Sequence, residues 1–221
     1  MKLRAVLFDL YGTLFSYGNM SRAFLLWHQE IAKELRKFGI EKSIPEIKEL
    51  CRTFFSRPID SLPGYTDYEE RLGLLFKECG ADISKETLKN FAAYSMDGWQ
   101  TEISLHPEAM ELLTALKAQG VLLGIVTNFM HHPHIYKTLR ENEISHFFDA
   151  IVVSSEVRLK KPHREIFDFA LKQLNATAAE TLFAGDDPEK DIRGAQNAGM
   201  QTFTAASGKP LKPILKLLEE P

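Results

Sequence analysis

A chain of 221 residues with 44% hydrophobic and 26% charged residues has the make-up of a soluble globular protein. It is long enough for one domain with an insertion or for two small domains. A net charge of −3, with no basic stripe interleaved with aromatics, argues against a nucleic-acid surface. No apolar run is long enough to cross a bilayer, and the N-terminus lacks a signal-peptide pattern, so no membrane partner and a cytoplasmic location are expected. Cys51 and Cys79 lie far apart and suggest neither a disulfide framework nor a zinc site.

Leu3–Leu10 is a short apolar run ending in Asp9-Leu10, followed by Tyr11-Gly12-Thr13. It reads as a strand buried on both faces, left sharply at Gly12. Strand character then stops. Arg22–Gly39, Ile44–Phe55, Tyr65–Cys79 and Ser84–Trp99 carry apolar residues at helical spacing. Gly39 stops the first of these helices and Ser84 caps the last, and Arg57–Gly64, with Pro58, Pro63 and Gly64, is a loop. The stretch 17–100 is expected to be an all-helical unit.

From residue 106 strands and helices alternate: helix His106–Gly120, strand Val121–Thr127, helix His134–Asn142, strand Ala150–Ser154, helix Pro162–Leu174. Strand Thr181–Gly185, helix Pro188–Ala198 stopped by Gly199, strand Met200–Ala205 and helix Lys212–Glu219 follow. This rhythm predicts an α/β fold: a doubly wound, Rossmann-like core with a five-stranded parallel sheet. The domain expectation is 1–16 with 101–221 for that core, and 17–100 inserted after its first strand.

The strand ends carry the chemistry. Asp9, Thr127-Asn128 and Asp186-Asp187 follow three strands, and Lys160-Lys161-Pro162 opens a helix after the fourth. In a parallel sheet these ends share one edge, where open α/β sheets bind ligands. Each residue alone has a plain structural use, such as an N-cap or a solvated lysine. Together they bring to one place a nucleophilic carboxylate, a hydroxyl, an ammonium and acids that need a cation between them and a phosphate. A carboxylate can attack an electrophile to give an ester or acyl phosphate. A phosphoryl group in transfer needs cations and donors around it, and hard oxygen ligands suit Mg²⁺.

With these residues in this order, the sequence resembles the haloacid dehalogenase superfamily of hydrolases. Asp9-Leu10-Tyr11-Gly12-Thr13, Thr127, Lys161-Pro162 and Gly185-Asp186-Asp187-Pro188-Glu189-Lys190-Asp191 are similar to its four motifs in order. The helical insertion is similar to the family's cap, which selects substrates. The resemblance implies Asp9 as nucleophile, Thr127 and Lys161 as catalytic partners, and Gly12, Thr13 and Asn128 as substrate-binding positions. In the phosphatase branch it implies Mg²⁺ held by Asp9, by the Tyr11 backbone carbonyl and by Asp186, with Asp191 or Asp187 orienting its waters.

Tyr11 departs from the phosphatase pattern, which has a second aspartate there as general acid and base. A phenol with a pKa near 10 is a poor base at neutral pH. Tyrosine at this place is similar to 2-haloacid dehalogenases, which need no metal but usually lack the acid at Asp186. Weighing the acidic fourth motif above Tyr11, the sequence points to a Mg²⁺-dependent phosphate-monoester hydrolase of a small phosphorylated metabolite. A 2-haloacid dehalogenase is the alternative, and a catalytically weak binding or regulatory protein a third reading. The expected partner is a small-molecule substrate, a phosphate ester or 2-halo acid, and the chain is expected as a monomer or dimer.

Overall fold

The computed structural model describes residues 3–59, 62–205 and 208–219. Asp60 and Ser61 of the expected Arg57–Gly64 loop lie outside these residues, as do 1–2, 206–207 and 220–221 of the expected core. The chain divides into two compact units, Gly18–Ile103 and the segments on either side of it.

The Gly18–Ile103 unit is built from α1 (Met20–Arg36), α2 (Ile44–Ser56), α3 (Asp67–Glu78), α4 (Lys85–Ser95) and α5 (Asp97–Gln100). Asn19 accepts a hydrogen bond from the Arg22 N–H, so α1 starts earlier than the apolar spacing alone implies. The expected helix Ser84–Trp99 is two helices. The chain turns at Met96, and α5 packs on α1 where Gly98 allows close approach. A Cβ at Gly98 would stand 3.0 Å from the Leu26 Cβ. Arg71 is buried. Its Nη1 donates to the Phe54 and Arg57 carbonyls, 2.7 Å each, and so satisfies the C-terminal end of α2.

The second unit holds β1 (Ala5–Phe8), β2 (Phe15–Tyr17), β3 (Ile103–Leu105, which straddles the unit boundary), α6 (Ala109–Ala118), β4 (Leu122–Thr127) and α7 (His132–Glu141). It continues with β5 (Ala150–Val153), α8 (Ser154–Val157), α9 (Arg164–Leu174) and β6 (Thr181–Gly185). A π-helical turn at Pro188–Arg193, α10 (Gly194–Asn197), β7 (Gln201–Thr204) and α11 (Pro213–Glu219) complete it. β2 and β3 were not foreseen: at three residues each they are too short to show a period, and they pair in a separate two-stranded sheet.

The main sheet is the expected five-stranded parallel one, in the order β5-β4-β1-β6-β7. Counted along the chain, these are its third, second, first, fourth and fifth strands. This is the doubly wound Rossmann order, with the ligand crevice where the winding reverses beside β1. Ala5, Leu7, Val126, Val152 and Phe183 pack on Ile166, Phe167 and Ala170 of α9 and Ala195 of α10. Strand alternation turns Val6, Phe8, Leu123 and Ile125 to the other face. There α6 packs on β4. β1 is covered on both sides, which is why its sequence is an unbroken apolar run.

Phe167 is fully buried, with its ring 5.3 Å from that of Phe183. Phe167→Ala is expected to cost about 3–5 kcal/mol of stability. Urea denaturation checks this, and a loss below about 1 kcal/mol would contradict the packing described.

Candidate active site

The β1 ladder runs one residue past the strand, because the Asp9 N–H donates to the Ala184 carbonyl at 2.8 Å. Asp9 is therefore fixed at the C-terminal edge of the central strand, and it is buried. The chain then folds back: Gly12 N–H donates to the Phe15 carbonyl at 2.7 Å, and Phe15 N–H to the Leu10 carbonyl at 2.9 Å. Gly12 has φ +100°, a conformation that favours glycine. A side chain there would also collide with the Asp186 carboxylate. Gly185 has the same relation to Asp191. These two glycines let the turn after β1 and the turn after β6 close on each other.

The buried Lys161 ammonium ties the site together. Its Nζ lies 2.5 Å from Asp9 Oδ1 and 2.7 Å from Asp191 Oδ1. Its main chain is held by Asn128 in both directions: Lys161 N–H donates to Asn128 Oδ1, and Asn128 Nδ2 donates to the Lys161 carbonyl, 2.9 Å each. The Asn128 side chain, expected on substrate, is thus a positioning group for the lysine. Asp191 Oδ2 accepts the N–H groups of Asp186 and Asp187, 3.1 Å each. This fold-back is the chemical reason that Pro188–Arg193 is a π-helical turn where a plain helix was expected, π turns being a recurrent device at functional sites.

Carboxylate oxygens of Asp9, Asp186 and Asp191 all lie within 4.8 Å of one another. Burial pushes the Asp9 carboxyl up, and the Lys161 charge opposes that shift. Burial, then the Asp191 charge, raise Asp186. Lys161 is pulled down by burial, but the charges of Asp9 and Asp191 outweigh this and hold it above its ordinary value, protonated. Three carboxylates facing one ammonium leave two negative charges uncompensated, and Asp186 has no cationic partner among the described residues. An all-oxygen set of this charge fits a divalent cation. Asp187 is not part of the set. Its Oδ1 caps the π turn by accepting from Glu189 and Lys190 N–H, and its Oδ2 pairs with Lys190 Nζ at 2.7 Å. The structure thus brings Asp9, Asp186 and Asp191 together and engages the Asp187 carboxylate on the π turn.

Thr127 is buried at the end of β4, beside Asn128. Thr13 is buried too, and its hydroxyl has no hydrogen-bond partner among the described residues, a donor left over for a ligand. The Tyr11 side chain is buried after β1. It hydrogen-bonds Thr138 on α7, and burial raises its pKa further above the ordinary value. The Tyr11 ring packs at 5.2 Å from that of Phe129.

Sequence reasoning missed several supporting groups. Ser154 Oγ accepts the Phe129 N–H and Ser155 Oγ the His132 N–H, 3.0 Å each, which fixes the loop after β4. His131 and His134 are buried, with His134 stacked on Phe129. Tyr17 donates to the Tyr11 carbonyl at 3.2 Å. Nothing in residue type or spacing announced these contacts.

Residues 6–205 match the family described as haloacid dehalogenase-like hydrolase. The chain belongs to that family. Among its relatives, glyceraldehyde 3-phosphate phosphatase of Methanopyrus kandleri is 28% identical over 207 residues, 94% of this chain and 85% of the relative. Ribulose-1,5-bisphosphate 5-phosphatase of Halopiger xanaduensis is 31% identical over 203 residues, 90% and 82% of the two chains. Of the solved structures, a 2-haloacid dehalogenase from Pseudomonas syringae pv. Tomato superposes with TM-score 0.68 at 21% identity, covering 91% of this chain and 86% of that one. At that identity it speaks to the fold alone.

If the three carboxylates form a cation site, millimolar Mg²⁺ is expected to raise the melting temperature of the wild-type chain. Asp186→Asn is expected to lose most of that rise while keeping its cation-free melting temperature or gaining slightly. An equal Mg²⁺ response in both proteins would contradict the site.

Proposed function

We propose that this hydrolase is a Mg²⁺-dependent phosphatase of a small phosphorylated metabolite, working through an aspartyl-phosphate on Asp9. The observation that carries the reading is the cluster of Asp9, Asp186 and Asp191 around one lysine. Two uncompensated negative charges would repel a phosphate monoester, and a divalent cation removes that obstacle. The two phosphatase relatives, both named for phosphorylated metabolites, support the same class.

In this reading the Asp9 carboxylate attacks phosphorus, the P–O bond to the leaving oxygen breaks, and water later hydrolyses the acyl phosphate. Lys161 keeps Asp9 ionised and set for attack, and offsets charge on the intermediate. Thr127 and Thr13 supply hydroxyl donors for the phosphoryl oxygens. Asp9, the Tyr11 carbonyl and Asp186 would hold the cation, with Asp191 orienting its waters. When bound, the cation draws negative charge away from the phosphoryl oxygens. Gly18–Ile103 serves as the family's substrate-selecting cap.

Tyr11 favours a second reading, the 2-haloacid dehalogenase, whose halide leaves without a proton. The acidic cluster opposes it, since a 2-halo acid brings a carboxylate of its own. A phenol, poorly acidic and raised further by burial, does not take the place of the acid/base aspartate two residues after Asp9. Turnover should then favour leaving groups that depart without protonation.

The expected outcome is Mg²⁺-dependent phosphate release from p-nitrophenyl phosphate, abolished by EDTA. Tyr11→Asp should raise turnover of an alkyl phosphate by about tenfold or more, within the range of general acid–base catalysis. Chloride release from L-2-chloropropionate that ignores EDTA would overturn this in favour of the dehalogenase.

A further inference from the structure

Tyr17 has no part in the reading above, yet its hydroxyl bonds the carbonyl two residues after Asp9. β2 brings its hydroxyl to the Tyr11 carbonyl, where it donates at 3.2 Å. That is long for an O–H···O bond, whose usual length is about 2.7–2.8 Å. Its ring stacks on the Tyr11 ring, centroids 6.5 Å apart and planes 25° apart. The charges of Asp9, Asp186 and Asp191 all bear on its phenol. The residue is 43% exposed, so a small ligand can reach it.

The carbonyl that accepts from Tyr17 is the one assigned above to the cation. A cation held at that oxygen would compete with Tyr17 for it and disfavour the bond. A long hydrogen bond is easily given up, and an anionic phosphoryl oxygen at Asp9 is a stronger acceptor than a carbonyl.

The geometry points to Tyr17 as a substrate-contacting residue: its hydroxyl leaves the Tyr11 carbonyl and donates a hydrogen bond to the phosphoryl group held at Asp9. This rests on the phosphatase reading and adds to it a donor supplied by the strand that leads out of the site. No bond to phosphorus and no proton transfer is asked of Tyr17, only a hydrogen bond to an anion.

The test uses the full chain and its Tyr17→Phe variant, which keeps the ring. Calorimetric titration measures Mg²⁺ alone, then orthovanadate at saturating Mg²⁺. Tyr17→Phe is expected to bind Mg²⁺ as tightly as the wild type, or more tightly, and orthovanadate about tenfold more weakly, as for one lost hydrogen bond to a charged group. Tyr17→Leu, which removes the ring as well, is expected to weaken orthovanadate at least as much. Unchanged orthovanadate affinity in Tyr17→Phe overturns the assignment. So does a parallel loss of Mg²⁺ affinity, which would mean that Tyr17 acts only by holding the Tyr11 carbonyl. A wild-type chain that binds no orthovanadate with Mg²⁺ would overturn the phosphatase reading itself, a result distinct from binding that the variant leaves unchanged.

Discussion

The Lys161 ammonium, buried between Asp9 and Asp191, is the interaction on which the rest of the site depends. Removing one partner from a buried ion pair costs about 3–5 kcal/mol, because the other is left charged and dry. Here the loss of Lys161 would leave three carboxylates with oxygens within 4.8 Å and no positive charge at contact distance. The same arithmetic explains the other half of the design. One lysine does not neutralise three acids, and burial, which raises both Asp9 and Asp186, marks the cost of holding those charges without a further cation.

The scaffold is arranged to keep that lysine and those acids at contact distance. Asn128, at the exit of β4, holds the main chain of Lys161 by two reciprocal hydrogen bonds. Gly12 and Gly185 remove the side chains that would push Asp186 and Asp191 away. The π-helical turn after β6 folds Asp191 back onto two backbone N–H groups. The central position of β1 in the parallel sheet puts Asp9 in the crevice where these parts meet. Each device is local, but together they bring residues from four separate loops onto one carboxylate.

Much of this was legible in the chain itself. The apolar run before Asp9 reads as a strand covered on both faces, and the alternation from residue 106 onward points to a parallel sheet with polar strand ends on one edge. What stayed hidden was side-chain direction. Asp187 and Asp191 are both acids of the fourth motif, but Asp187 precedes a proline at a helix start, and it caps. Asn128 reads as a polar neighbour of Thr127, and its grip on Lys161 depends on a loop far along the chain. Tyr11 looks like a displaced acid until α7 supplies Thr138 as its partner. The three-residue strands β2 and β3 show no period, and with them Tyr17 went unnoticed.

The hydrolase family sets the reaction type, and the proposal within it is phosphoryl transfer through Asp9. The most direct measurement is mass spectrometry of the acid-quenched protein after brief mixing with substrate phosphate ester and Mg²⁺. A gain of one phosphoryl group on the peptide containing Asp9, absent in EDTA and in Asp9→Asn, is the predicted result. A chain that releases phosphate from the ester while Asp9 is never labelled, or that is labelled equally well in EDTA, would contradict the account.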